Sequence, residues 1–423
     1  MRLQGFTVKK LAARKILDSR GNPTIEIDAV VASDGKVGFG RAAAPSGAST
    51  GKHEVVAFPA GGPDASIEMV RGTVAPKLTG KSVEKLEEID SLLHELDGTS
   101  NFSKLGGNAA VAISMAVAKS AAAASGLPLY RYLNEGDEYS LPYPIGNVLG
   151  GGAHAGKMAP DIQEFISVGI GAKKFVDAVF ANAKVHKQVK AKIGERDKTF
   201  TGGKGDEGAW APNLDSLQAM EVVAEACEQV TGELGFEVRP ALDVAASSLY
   251  DEKQKKYVYR REGKTRDPGE QIDFVLDLIK TYKLFYVEDP MHEEDFEGFA
   301  ELTRKAGKDC LICGDDIFVT NVKRIKMGME VGAANAVLIK PNQIGTLSDT
   351  LAAVKLTKEH NCAPTISHRS GETPDDTIAH LAVAWGCPLI KTGAVGGERI
   401  AKLNELIRIE EELGPKAKMG RPR

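Results

Sequence analysis

The 423-residue chain has little cysteine, no excess of basic charge and no long apolar run, and each shortage removes a class of protein. Five cysteines in a chain of this length do not make a disulfide framework, so the sequence reads as that of a cytoplasmic protein from a reducing compartment. Two of them, in "CLIC" (Cys310 to Cys313), have C-x-x-C spacing. That run is apolar and strand-like, however, and residues three apart on a strand point to opposite faces, so no metal or redox pair is expected there. Lysine and arginine number 54 against 58 aspartate and glutamate, a net charge of −4. Without a basic stripe no nucleic-acid partner is expected, and the one basic cluster, "GPKAKMGRPR", reads as a solvated tail. The longest apolar run, "NAAVAISMAVAK", is too short to span a bilayer, and the N-terminal stretch lacks the continuous apolar segment of a secretory signal. No membrane association is expected.

What is present is the material for a large core, with 42% hydrophobic residues. The runs "ARKILDS", "TIEIDAVVAS" and "KVGFGRAA", parted by the turn sequences "RGNP" and "SDGK", read as antiparallel strands. After "FPAGGPD" apolar residues fall three and four apart in "SIEMVRGTVAPKL", "SVEKLEEIDSLLHEL" and "NAAVAISMAVAKSAAAASG", a helical period. Strands followed by helices predict a separate α+β unit over residues 1–137, closed by a linker around "EGDEYSLP".

From residue 138 to 423 short apolar runs alternate with amphipathic segments, and each run ends on polar residues. They are "PALDVAAS" with Asp243, "LFYVEDP" with Glu288, "CLICGDD" with Asp315, "NAVLIKPNQ" with Lys340, "APTISHRSG" with His368, Arg369 and Ser370, and "PLIKTGA" with Lys391. This repeat predicts a parallel β/α barrel, an α/β fold in which residues at strand C-termini converge on one mouth. A doubly wound sheet is the alternative architecture; it would divide the same residues between crevices.

Three carboxylates brought together repel one another, and a hard divalent cation removes that repulsion; oxygen-only ligands favour Mg²⁺. Asp243, Glu288 and Asp315 are therefore the candidate ligands. Lys340 has two readings, as a neutraliser of the acids or as a base. With Lys391, Arg369 and a cation beside it, a lysine here is expected to have a depressed pKa, suited to taking a proton from a carbon acid next to a carboxylate. Glu207 lies in "GKGDEG", which matches G-x-G-x-x-G. An acidic pair inside the motif and Pro212 after it argue against a dinucleotide site and for a loop presenting Glu207 at the mouth. "IQEF" offers Gln163 and Glu164, and "GGGAHAG" offers His154, in the same region.

The stretch "SGASTGKHE" contains a G-x-S-x-G pattern centred on Ser49 and nearly spells a P-loop. It lacks the helix an elbow needs, is one residue short between its glycines for a P-loop, and has His53 where a hydroxyl belongs. Gly47 and Gly51, permitting torsions closed to other residues, suit a hinged lid.

Taken in order from about residue 17 to 412, "SGASTG", "HAG…QEF", "GDEG", "LDVAAS", "EDP", "GDD…VTN", "LIKPNQIGTL", "SHRSGET" and "KLNELIRIEEEL" resemble the enolase family. Such sites are themselves a standard example of a lysine or histidine base working with one or two Mg²⁺ ions. The resemblance implies an α+β cap on a C-terminal barrel of variant strand order, and reversible dehydration of 2-phosphoglycerate to phosphoenolpyruvate in glycolysis and gluconeogenesis. It implies a first Mg²⁺ on Asp243, Glu288 and Asp315, and a second, entering with substrate, on Ser49. Lys340 would take the α-proton, and Glu207 with Glu164 would assist departure of the β-hydroxyl. Arg369 and Ser370 would hold phosphate and Lys391 the carboxylate, with Gln163, His154 and His368 nearby. It also implies a homodimer or a larger homo-oligomer. After Lys391 the segment "TGAVGGERIAKLN" keeps an arginine at 399 but has glycines just before it.

Overall fold

Alternating burial builds the first sheet of this computed structural model, which describes residues 5–33, 35–47, 50–134, 136, 138–156 and 158–422. Strands β1 (Thr7–Leu17), β2 (Pro23–Ser33) and β3 (Lys36–Ala43) form an antiparallel meander in that order. On β3, Val37, Phe39 and Arg41 face out while Gly38, Gly40 and Ala42 face in. A Cβ at Gly38 would stand 2.0 Å from the Ser120 carbonyl oxygen, and one at Gly40 2.1 Å from that of Ala116. The helix Gly107–Ser125 therefore lies directly on the sheet backbone. Its apolar run extends past Lys119 through alanines, and by length and composition alone it could cross a membrane. Within its most apolar stretch 89% of residues are buried inside the protein, so an all-round apolar face here marks a core helix.

The barrel closes from eight strands. They are β4 (Tyr143–Gly150), β5 (Glu164–Val168), β6 (Arg239–Asp243), β10 (Tyr286–Glu288), β11 (Leu311–Gly314), β12 (Ala336–Ile339), β13 (Ala363–Ser367) and β14 (Leu389–Lys391). Between β6 and β10 a small antiparallel sheet is inserted, β7 (Tyr250–Asp251), β8 (Lys256–Tyr259) and β9 (Lys264–Arg266), which the sequence pattern did not suggest. Side chains such as Ile166, Tyr286, Cys313 and Leu338 fill the barrel interior, while Cys310 packs in the outer core; all five cysteines are free thiols.

The barrel is parallel except at one strand. β5 runs antiparallel to both of its neighbours, β4 and β6. Between β4 and β5 the chain turns back at the mouth, with no crossover helix among the described residues. Two helices, Phe175–Arg196 and Ser216–Leu234, then follow in succession before β6. A parallel strand would bring its last residues to the mouth; the reversed β5 brings its first, Glu164, and Gln163 just before it.

The α+β unit sits over the mouth. Ser46 and Gly371 exchange backbone hydrogen bonds of 2.7 and 2.8 Å, Asn342 Nδ2 donates to the Pro45 carbonyl at 3.2 Å, and Lys119 is paired with Asp375 and Asp376.

Candidate active site

Every parallel barrel strand except β4 ends on, or one residue before, a charged or polar candidate: Asp243, Glu288, Asp315, Lys340, His368 and Lys391. Local sequence explains this. Each strand is a short apolar run buried on both faces, and the first polar residue is where it leaves the core. One polar pocket is lined by His154, Gln163, Glu164, Glu207, Asp243, Asp315, Lys340, His368, Arg369, Ser370 and Lys391. Glu288 lies just beneath, under Lys391. Ser49 lies outside the described residues.

The acids are held by lysines. Lys391 Nζ stands 3.0 Å from Asp243 Oδ2, 2.7 Å from Glu288 Oε1 and 3.3 Å from Glu164 Oε1. Burial opposes its charge, yet Asp243, Glu164 and Glu288 hold its pKa well above that of an ordinary lysine. Glu288 also accepts from the Tyr286 hydroxyl at 2.6 Å, and burial together with Asp243 pushes its pKa up to about 8. Lys340 Nζ bonds to Asp315 Oδ2, whose other oxygen accepts from Gln343 Nε2 at 3.1 Å. The cations expected to depress Lys340 are present, since burial and then Arg369 and Lys391 work against its charge. Asp315 outweighs them, and the lysine is held above its usual value.

The donor set fits a hard cation. It is all oxygen and buried, and burial, with Asp243 beside it, makes Glu288 resist ionising. The oxygens of Asp243, Glu288 and Asp315 are not drawn to one point, because the two ammonium groups stand among them. Asp315 instead forms a compact group with Asp289 and Asp316, with ligand atoms within 4.8 Å of one another. Asp289 orients this corner by accepting the Asp315 and Asp316 amides at 2.8 and 2.9 Å.

Glu207 sits in the short 3-10 turn Asp206–Gly208 with a left-handed φ of 64°, a strained position for a residue with a side chain. Asn147 Nδ2 donates to its Oε2 at 3.1 Å, and His368 Nε2 lies 3.2 Å from its Oε1. Behind the turn, His186 Nε2 donates to the Gly208 carbonyl at 2.9 Å, and its ring stacks on Trp210 at 4.6 Å. His154 Nδ1 is 3.4 Å from Glu164 and 4.0 Å from Glu207. Burial, then the Glu207 charge, drives Glu164 well above the usual carboxylate range. Burial works against Glu207 too, but His368, His154 and Arg399 favour its charge and its pKa lies well below usual. The two carboxylates are thus pushed in opposite directions, Glu164 up and Glu207 down, by surroundings they share.

Two side chains without an assigned role in the sequence reading prove central. Glu54, in the "KHE" that follows the glycines, pairs with Arg369 at 2.9 and 3.0 Å. Beside it Lys52 N donates to Glu293 at 3.1 Å and His53 reaches Glu294 at 2.7 Å. Gly51 answers a close approach rather than a torsion, since a Cβ there would meet Val319 Cγ1 at 2.6 Å and its φ is not left-handed. Arg399, fully buried, bonds to His368 and to the carbonyls of Arg369 and Ser370. Their only sequence signal was their place in the "SGASTGKHE" and "TGAVGGERIAKLN" stretches.

A closed β/α barrel with one reversed strand, capped by an α+β unit and charged at its mouth, defines a barrel enzyme with a variant strand order. The profile described as "Enolase, N-terminal domain" matches residues 8–133, and "Enolase, C-terminal TIM barrel domain" matches residues 138–421. The chain is 59% identical to the enolase of Methanothermobacter thermautotrophicus over 96% of this chain and 97% of that one. It is 57% identical to that of Methanosphaera stadtmanae over 96% and 97%, and 49% identical to that of Pyrobaculum aerophilum over 95% and 96%. The chain belongs to the enolase family.

Proposed function

We propose how this chain's own residues divide the work of the reaction that its family membership carries. That reaction is the reversible dehydration of 2-phosphoglycerate to phosphoenolpyruvate and water, the hydro-lyase activity of a phosphopyruvate hydratase. Residues 138–423 act as the catalytic barrel and residues 1–137 as its cap. Lys340 Nζ takes the proton from the α-carbon, and the C–H electron pair moves toward the substrate carboxylate, which Lys391 holds. That pair then returns to form the double bond between the α- and β-carbons as the bond from the β-carbon to its hydroxyl breaks. The hydroxyl leaves as water with a proton from the Glu164–Glu207 pair, which titrates as a unit. Arg369 and Ser370 hold the phosphate, with Gln163, His154 and His368 bordering the pocket.

Asp243, Glu288 and Asp315 are proposed to hold one Mg²⁺, with a second entering beside Ser49; when bound, Mg²⁺ supplies positive charge against the carboxylate as negative charge gathers there. Lys340 would act as the base; burial, Arg369 and Lys391 work against its charge, while Asp315 and Glu288 favour it. A homodimer or larger homo-oligomer is part of the same reading.

The observation that carries this is the single pocket in which Lys340, Lys391, Arg369 and the Glu164–Glu207 pair meet. The test is the ultraviolet absorbance of phosphoenolpyruvate formed from 2-phosphoglycerate. Absorbance rises with Mg²⁺ and stops on EDTA; formation undiminished by EDTA overturns the metal assignment.

A further inference from the structure

Arg399 lies in the first turn of the helix Gly397–Leu413 and is 0% exposed. Its Nη1 stands 2.7 Å from His368 Nδ1 and donates to the Arg369 carbonyl at 2.6 Å, while Nη2 donates to the Ser370 carbonyl at 2.5 Å. Nε donates to Glu398 Oε1 at 3.1 Å. One guanidinium thus ties together three consecutive residues of the "SHRSG" turn. The glycines before it make this possible: Gly393 and Gly396 have φ of 77° and 111°, and a Cβ on either would stand 3.3 Å from Arg399 Cγ.

A guanidinium has only donors, so His368 Nδ1 must accept. A neutral ring then carries its proton on Nε2, the nitrogen 3.2 Å from Glu207 Oε1. The ring is neutral at pH 7, since burial lowers its pKa to about 4. The opposite tautomer would turn a lone pair toward the Glu207 carboxylate and repel it.

We propose that Arg399 is a positioning residue that fixes His368 as the Nε2–H tautomer, so that the ring presents a donor to Glu207. The consequence for turnover rests on the division of labour proposed above; the tautomer itself does not. A mis-set ring would disturb the charge balance of the pair that serves the departing hydroxyl, without touching Lys340.

Two-bond ¹H–¹⁵N correlation spectra of ¹⁵N-histidine-labelled protein at pH 7 read the tautomer directly, with His368 assigned by the signals lost in H368Q. The expected pattern is a protonated Nε2 and a bare Nδ1. A protonated Nδ1, or a doubly protonated ring, overturns the proposal in the unmutated protein, so a variant that fails to fold leaves the question decidable. R399M removes the donor, and His368 is then expected to populate both tautomers while kcat falls by about 10- to 100-fold. R399K, which keeps a cationic donor group on a single nitrogen, recovers part of both. R399M with an unchanged tautomer and unchanged kcat makes Arg399 a packing residue only and refutes the proposal. If the unmutated protein forms no phosphoenolpyruvate, the functional reading fails on its own, and the spectrum still decides the tautomer.

Discussion

Lys340 owes its setting to one position: it is the first residue after β12, partly buried, with Asp315 on one side and Arg369 and Lys391 beyond. The residue type and its place at the end of "AVLI" were legible in the sequence, because both are local. Its charge state was not, because that depends on which carboxylate the fold brings nearest. Replacing it tests the base assignment. K340A is expected to lower kcat for phosphoenolpyruvate formation by roughly 10²- to 10⁴-fold, with the far-ultraviolet circular dichroism spectrum unchanged. Near-full turnover would remove Lys340 from the role. Glu164 and Glu207 make the same point: two carboxylates read from the sequence as partners are separated in pKa by surroundings no motif records.

Elements place these residues, and two elements do so under measurable constraint. The sheet accepts the helix Gly107–Ser125 only because Gly38 and Gly40 carry no side chain. G40L is expected to destabilise the protein by about 1–3 kcal/mol, the range for overpacking a core, read as a lower urea midpoint at constant slope. An unchanged midpoint would show that the helix lifts without penalty. The 3-10 turn bearing Glu207 is braced by His186, whose pKa burial lowers to about 4. Between pH 6.5 and about 4 the unfolded chain takes up a proton at this ring that the folded chain refuses, so stability falls as pH drops through that window. H186Q keeps a donor for the Gly208 carbonyl but loses the titration. Its unfolding free energy should fall less from pH 7 to pH 4 than that of the parent, by roughly 1.4 kcal/mol per unit of pKa shift. Parallel pH profiles would show that His186 is not buried neutral. At this scale the apolar runs foretold the barrel strands, but not the direction of β5, since a run of five buried residues has the same pattern either way.

Over the whole molecule, the cap and the barrel are joined by buried and partly buried polar contacts more than by sequence proximity. Glu54 reaches Arg369, Asn342 reaches Pro45, and Lys119 on the cap's core helix meets Asp375 and Asp376 beside the "SHRSGET" turn. K119M would leave Asp375 without its main counter-charge, and a loss of about 1–3 kcal/mol is expected for this partly buried pair, between the solvated and the fully buried cases, measured by urea unfolding. A loss below about 1 kcal/mol would mark the pair as behaving like a solvated one. By itself the sequence determined which side chains stand at the barrel mouth, because the period of a strand and its first polar residue are properties of neighbours along the chain. Only the tertiary structure decided that β5 turns back to deliver Glu164, that Glu54 and Arg399 engage the "SHRSG" turn, and that Glu164 and Glu207 are pushed apart in pKa. Those outcomes depend on burial and on charges brought together from distant parts of the chain, and neither quantity exists until the chain has folded.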